Sequence, residues 1–368
     1  MNRSPSRVRW ALAALLACAA LLACALFLVS TEPEPAPTAV SSHGDPTDAD
    51  RAAERPQRKT ADGPAPEPEA APAVREPSPK VETVLRAEWG DGPGQLGHKL
   101  PADGAPEGPM SMLVDDLGRI YVLDQVNQRV QVFENGRAVA SVPLPADTFQ
   151  DLLRDPDGNL VLLDRLARRS VEILGVDGQP IAQVELEGPG IAEGGAVTAS
   201  FQRSDGLWVE VEHSQSVRVL DGKGQVDPAR ERVPGRFSAD GRLLLFAARS
   251  GPDQAAIWTR PSDAPAAAAA LLATVGFGLP LMQICALEST ADGRILLVAQ
   301  LMGSHAARPE LAEQLVVLAP DGRELSRFDL PVRSRPEEQF RPYFLGPDGA
   351  LYQLQATAWG VLVHRIGL

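Results

Sequence analysis

From residue 81 onward the chain is a succession of short runs in which apolar and polar positions alternate, separated by a recurring glycine turn. Leu117-Gly118, Asp157-Gly158, Asp205-Gly206, Asp240-Gly241, Asp292-Gly293 and Asp348-Gly349 each open an apolar, strand-like run. Glycine supplies positive φ at no steric cost, so such a pair followed by alternating residues predicts a β-hairpin. The six turns lie on average roughly 45 residues apart, a spacing that belongs to repeat architectures.

With the turn placed between the first and second strands, the repeats can be written out. Repeat one supplies runs 110–114, 119–123, 129–133 and 138–142, and repeat two 149–153, 159–163, 170–174 and 181–186. Repeat three gives 197–202, 207–211, 217–221 and a weaker fourth run, 225–230. Repeat four runs through 235–239, 242–247, 255–259 and 271–275, and repeat five through 281–287, 294–300, 314–318 and 324–330. The sixth offers only 339–345, 350–355 and 361–366, while one unassigned run, Val84-Leu85-Arg86-Ala87-Glu88-Trp89, stands before the first. Pairing that run with the last three strands gives an all-β fold, a six-bladed β-propeller of four-stranded blades closed by an N-terminal strand. Closure of this kind leaves only short, protected edges.

Three stretches of the first repeat carry a family resemblance: Gly90-Asp91-Gly92-Pro93-Gly94-Gln95-Leu96-Gly97, Leu117-Gly118-Arg119-Ile120-Tyr121-Val122-Leu123-Asp124 and Asn127-Gln128-Arg129-Val130-Gln131-Val132-Phe133. Together they resemble one unit of the NHL-repeat family of six-bladed propellers. Repeat two keeps Asp157-Gly158-Asn159-Leu160-Val161-Leu162-Leu163-Asp164, repeat three keeps Ser216-Val217-Arg218-Val219-Leu220-Asp221, and the later repeats keep little beyond turn and alternation. The resemblance implies that Asp124, Asn127 and Arg129 tie the loop between strands two and three to its neighbour. It also makes that rim the place for ligand contacts, since loops at one end of a ring converge on its channel. WD-type Trp-Asp endings and the paired glycines of kelch arrays do not recur.

Composition divides the rest of the chain. Residues 1–29 combine Arg3, Arg7 and Arg9 with an unbroken apolar stretch from Trp10 to Val29, about the 20 residues needed to cross a bilayer as a helix. Leading arginines and the following Glu32 and Glu34 orient the bulk of the chain outside the cytoplasm. Three fates compete: a signal anchor in the bacterial cytoplasmic membrane, a lipoprotein signal with Cys24 acylated after a lipobox-like Leu21-Leu22-Ala23, and simple cleavage. Residues 30–80 are a Pro/Ala/Glu-rich linker without aromatic residues. Such a stretch cannot bury enough surface to offset ordering and is expected to be a disordered tether. The propeller then occupies 81–368. A net charge of −13 excludes nucleic acid, which demands clustered Lys and Arg.

Reactive constellations are sparse. The folded region holds a single cysteine, Cys285, inside the apolar run Met282-Gln283-Ile284-Cys285-Ala286-Leu287, which reads as a buried small hydrophobe. His98, His213, His305 and His364 are scattered, and no Gly-x-Ser-x-Gly elbow, His-Glu-x-x-His run or calcium loop is present. No metal or cofactor is expected. Lactonase-like six-bladed enzymes gather Glu, Asn and Asp around a calcium in the channel, a set that Asn127, Asn135 and Asn159 are poorly placed to supply. Two irregular stretches stand out: 188–195, rich in glycine, and 301–313, which carries Ser304, His305 and Arg308. Long loops on a rigid scaffold carry recognition. The expected function is a monomeric, membrane-tethered, extracytoplasmic propeller that binds or scaffolds a protein or peptide partner without catalysis. The competing reading is a divergent propeller hydrolase or lyase with a channel metal.

Overall fold

A computed structural model describes residues 80–264, 268–303 and 310–368. The apolar segment, Cys24 and the linker lie outside the described residues, as do Ser304, His305 and Arg308. The first strand, β1 (Val81–Glu88), precedes blade 1, which is built from β2 (Met112–Val114), β3 (Ile120–Asp124), β4 (Arg129–Glu134) and β5 (Arg137–Pro143). Blade 2 comprises β6 (Asp151–Arg154), β7 (Leu160–Asp164), β8 (Ser170–Leu174) and β9 (Pro180–Glu185). Blade 3 holds β10 (Val197–Arg203), β11 (Gly206–Val211), β12 (Gln215–Asp221) and β13 (Arg232–Pro234). Blade 4 follows with β14 (Arg236–Phe237), β15 (Leu243–Gly251), β16 (Gln254–Pro261) and β17 (Ala270–Gly276). Blade 5 has β18 (Leu281–Ser289), β19 (Ile295–Met302), β20 (Leu311–Leu318) and β21 (Glu324–Leu330). Blade 6 has β22 (Tyr343–Leu345), β23 (Leu351–Ala356), β24 (Gly360–Ile366) and, at its outer edge, β1. Each sheet is antiparallel and ordered first to fourth outward, so the described residues form six four-stranded blades.

The burial pattern explains why these sequences become blades. Second strands such as β3 and β7 are buried at every residue, because both of their faces meet a neighbouring blade, whereas the outer β5 and β9 are exposed along most of their length. Apolar clusters seal blade 1 to 2, 2 to 3, 4 to 5, 5 to 6 and 6 to 1. Between blades 3 and 4 the seal is aromatic. Trp208 meets Phe237 edge-on at 4.9 Å between ring centroids, with the Arg203 guanidinium 3.7 Å from the Phe237 centroid, a favourable cation–π geometry.

The ring closes through β1, paired antiparallel with β24 from Val81↔Ile366 to Glu88↔Gly360. Leu85 and Ala87 on this strand are buried in the cluster shared by blades 6 and 1. Trp89 leaves the ladder to bridge Leu96, so the strand runs earlier than the expected 84–89. At the seam His364 donates through Nε2 to Gln355 Oε1 at 2.9 Å, which leaves Nδ1 of the neutral ring to accept from Thr83 Oγ1 at 3.2 Å. Burial, and then the charge of Arg86, depress its pKa below the ordinary 6.5. As pH falls through that value the unfolded chain takes up a proton that the folded chain refuses, so this contribution is present above it and is lost on acidification. Between about pH 7.5 and about pH 5, the protein should therefore lose roughly 2 °C more in Tm than a His364→Gln variant. Thermal unfolding of the two at both pH values checks this.

Two expected runs fold differently. The fourth strand of blade 3 is Arg232–Pro234 and not 225–230, which is a loop pinned by side chains. Asp227 accepts from Arg218 Nε at 2.7 Å, and Arg230, at φ 42°, turns back to donate to the carbonyls of Glu185, Leu186 and Glu187. The interruption expected at 301–313 is shorter, because Leu301↔Ala312 and Met302↔Leu311 extend the β19–β20 ladder into it.

Candidate functional site

In this topology the loops between second and third strands, and the connections from one blade to the next, gather at one end of the ring. The glycine turns gather at the other. At the first end the connection 331–342, from β21 to β22, crosses the channel as a strap. Its far side is held by Phe340, packed against the apolar cluster of blades 2 and 3, with the Arg165 guanidinium 5.1 Å over its ring. Main-chain bonds from Phe340 N and Arg341 N to Met110 O, at 2.8 and 3.0 Å, fasten it to the entry of blade 1.

Three arginines of this strap each pair with a buried carboxylate, two of them on the blades and one, Glu337, on the strap itself. Arg341 Nε donates to Asp151 Oδ1 on β6 at 2.9 Å, its other nitrogen also bonds the same carboxylate, and Ser200 Oγ of β10 donates to Asp151 Oδ2 at 2.6 Å. One ion pair thus links blades 2, 3 and 6. Arg333 Nε lies 3.1 Å from Glu313 Oε1, and Glu313 also accepts from Gln300 Nε2 at 3.1 Å, Gln353 Nε2 at 3.0 Å and the Tyr343 hydroxyl. Arg335 donates to Glu337 Oε1 at 3.0 Å, and His98 Nε2, stacked on Trp89, approaches the same oxygen at 3.0 Å.

The protonation states follow from this packing. Burial, reinforced by Glu313, raises the Tyr343 phenol well above its usual range. Burial opposes the Arg333 charge, but Tyr343, Glu313 and Cys285 more than compensate, so the guanidinium stays charged. Burial likewise opposes ionisation of Glu337, yet its own backbone N–H and Arg335 hold its pKa below normal. Cys285 faces Arg333 at 3.3 Å, but burial dominates and pushes the thiol up to about 11. The thiolate is the reactive form, and two units above the 9.0 of an ordinary cysteine lower its population about 100-fold. Iodoacetamide at about pH 8 should therefore label Cys285 in the folded chain at least about 100-fold more slowly than in urea. Mass spectrometry of the Cys285 peptide reads this directly.

This donor set does not fit a divalent cation. Asp151, Glu313 and Glu337 are each neutralised by a guanidinium, and among the described residues no three His, Cys, Asp or Glu side chains come together. Asn127 sits elsewhere.

The predicted triad does come together, on the same end of the ring in blade 1. Asp124 is fully buried; its Oδ1 accepts from Gly97 N at 2.7 Å, and its Oδ2 from Asn127 Nδ2 at 2.9 Å and Arg129 Nε at 2.7 Å. Arg129 continues to the carbonyls of Asp91, Gly92 and Gln95, and Asn127 to that of Gly90. All three residues are committed to holding loop 90–97 in place. The strap arginines were not singled out in the sequence, although Arg333, Arg335 and Arg341 with Glu337 and Glu338 form a dense charge run between two strands.

Beside the strap opens a cleft of about 650 Å³, walled by Thr198 and Glu210 of blade 3, Ala247 and Arg249 of blade 4, and Met282 and Ile284 of blade 5. A second depression, of about 570 Å³, lies among the glycine turns, near Asp116, Arg154 and Pro347.

Fold and site together define a closed six-bladed propeller with an arginine-strapped channel and a lateral cleft. No protein-family model and no curated protein sequence matches the chain. Among solved structures it is similar to a gluconolactonase from Xanthomonas campestris, at 14% identity over 82% of this chain and 93% of that one, with a TM-score of 0.46. A streptogramin B lyase is also 14% identical, over 79% of this chain and 98% of its own, with a TM-score of 0.44. A virginiamycin B lyase from Staphylococcus aureus is 12% identical, over 71% and 95%, with a TM-score of 0.40.

Proposed function

We propose that the protein is an extracytoplasmic, membrane-tethered, NHL-like propeller that binds a protein or peptide partner at the strapped end and performs no chemistry on it. The supporting observation is that three buried carboxylates at the strapped end are consumed by structure. Asp151, Glu313 and Glu337 are buried in arginine pairs while an open cleft lies beside them. A general base must be free to take a proton near the operating pH, and the Cys285 thiol and Tyr343 phenol, both raised by burial, stay protonated there. The tether rests on the apolar 10–29 segment and the linker after it.

The test is retention of a partner from an envelope extract by the immobilised full chain, compared with a Glu210→Lys/Glu338→Lys variant altered at the cleft walls. A defined partner held by the first and lost by the second is the expected result. A partner-free protein that turns over a lactone would overturn the reading.

A further inference from the structure

Blade 4 is incomplete. The inner strand of blade 4 is the shortest of the six: β14 is two residues long and pairs only Arg236↔Leu245 and Phe237↔Leu244 of the nine-residue β15. The cause is local. The chain leaves β13 at Pro234 and turns at once through Gly235, whose φ of 88° and 2.9 Å approach of its would-be Cβ to Leu245 O require glycine. Gly235 N donates to Ser214 O at 2.7 Å, which fixes this turn halfway along the blade and not at its end. The remainder of β15, from Phe246 to Gly251, pairs with β16 on its outer side and borders the cleft on its inner side.

The hydrogen-bonding direction of that edge follows from its register. Ser238 N donates to Leu243 O at 2.8 Å, so Leu243 turns its main-chain groups inward. The β15–β16 pairing is unbroken from Leu243↔Pro261 to Arg249↔Ala255. Alternate residues of an antiparallel ladder point their N–H and C=O groups to the same side, so Ala247 and Arg249 present theirs to the cleft. Six residues at about 3.3 Å each make an edge of roughly 20 Å. Unpaired strand edges are templates for strand addition.

We propose that an extended segment of a partner protein completes blade 4, adding antiparallel to Phe246–Gly251 on the line of β14. This rests on the partner-binding reading above and gives it a mode. The occupant must offer main-chain donors and acceptors at alternate residues, so it carries no proline at those positions. Its side chains alternate between the blade 3 wall, with Thr198 and Glu210, and the blade 5 wall, with Met282 and Ile284. Four arginines that also line the cleft, Arg236, Arg333, Arg335 and Arg341, are each paired with a carboxylate, so Glu210 and the largely exposed Glu338 favour a basic residue in it, by charge complementarity. Arg249, donating to the carbonyls of Leu281 and Met282, closes the outer end.

The full chain is panned against a phage-displayed library of random ten-residue peptides, and the recovered peptide is synthesised for hydrogen-exchange measurements. The expected peptide has a proline-free core with Lys or Arg. At saturation it slows amide exchange of Ala247 and Arg249 at least tenfold, and N-methylation of alternate peptide amides weakens it at least tenfold. An Ala247→Pro variant, which removes one inward N–H at an edge that tolerates proline, loses at least tenfold in affinity; should it fail to fold, the N-methylated peptide carries the same test. A peptide that binds without slowing those two amides overturns strand addition and leaves partner binding standing. Protection of both amides without peptide, rising with protein concentration, gives the edge to a second copy of the chain and overturns the proposal. Failure of both library and envelope extract to yield a ligand sinks the two together.

Discussion

Leu85→Ala is expected to destabilise the protein by about 3 kcal/mol, while Val81→Ala on the same strand should change stability by less than about 0.5 kcal/mol. The difference lies in where the two side chains sit. Leu85 is 1% exposed and belongs to the cluster that joins blade 6 to blade 1, whereas Val81 is 40% exposed at the free end of the ladder. Removing a buried isobutyl group leaves a void that two rigid sheets can only partly close. A third substitution probes the other side of the seam: a Cβ at Gly360 would stand 2.0 Å from Ala87 O, so Gly360→Val should push β1 off β24 and cost as much or more. Urea unfolding monitored by tryptophan fluorescence gives the three midpoints. Equal effects of Leu85→Ala and Val81→Ala would show that β1 does not close the ring.

The second large effect is expected in the channel. Asp151→Ala or Arg341→Ala should each cost about 3–5 kcal/mol, because either leaves a buried charge without its partner. Asp151 is fully buried and the Arg341 side chain is 12% exposed, so solvent cannot take over the lost interaction. Asp151→Leu combined with Arg341→Met removes both charges at similar volume and should recover much of that loss. Unfolding free energies of the two single variants and the double variant form the cycle. Additive losses would mean that the pair does not join blades 2, 3 and 6 as described.

Much of the fold was legible because its cause is local. Asp157-Gly158 and its counterparts specify hairpins within a few residues, and the apolar runs that follow mark the strands, so blade number and the role of β1 could be read directly. The loop at 225–230 could not, because it depends on Arg230 reaching carbonyls of the preceding blade more than forty positions back. The ion pair of Arg341 with Asp151 spans 190 positions and carries no pattern of spacing. One signal of the cleft was present: Gly206 and Gly241, 35 positions apart (241 − 206), are the closest successive turns, and the residues missing from that interval are those of the inner strand of blade 4.

The strap has a further consequence. Arg333 and Arg341 share one stretch of backbone, so they act as a bidentate ligand of the ring and not as two separate bonds, while Arg335 braces the strap internally through Glu337. Once one guanidinium is seated, the other searches only a small volume, at effective concentrations in the millimolar range or above for so short a connection. Detaching either arm is quickly reversed by the other, and release requires both to leave together. The wall of the cleft therefore behaves as one cooperative chelate, either fully docked or fully lifted, and a partner that meets it encounters a rigid surface.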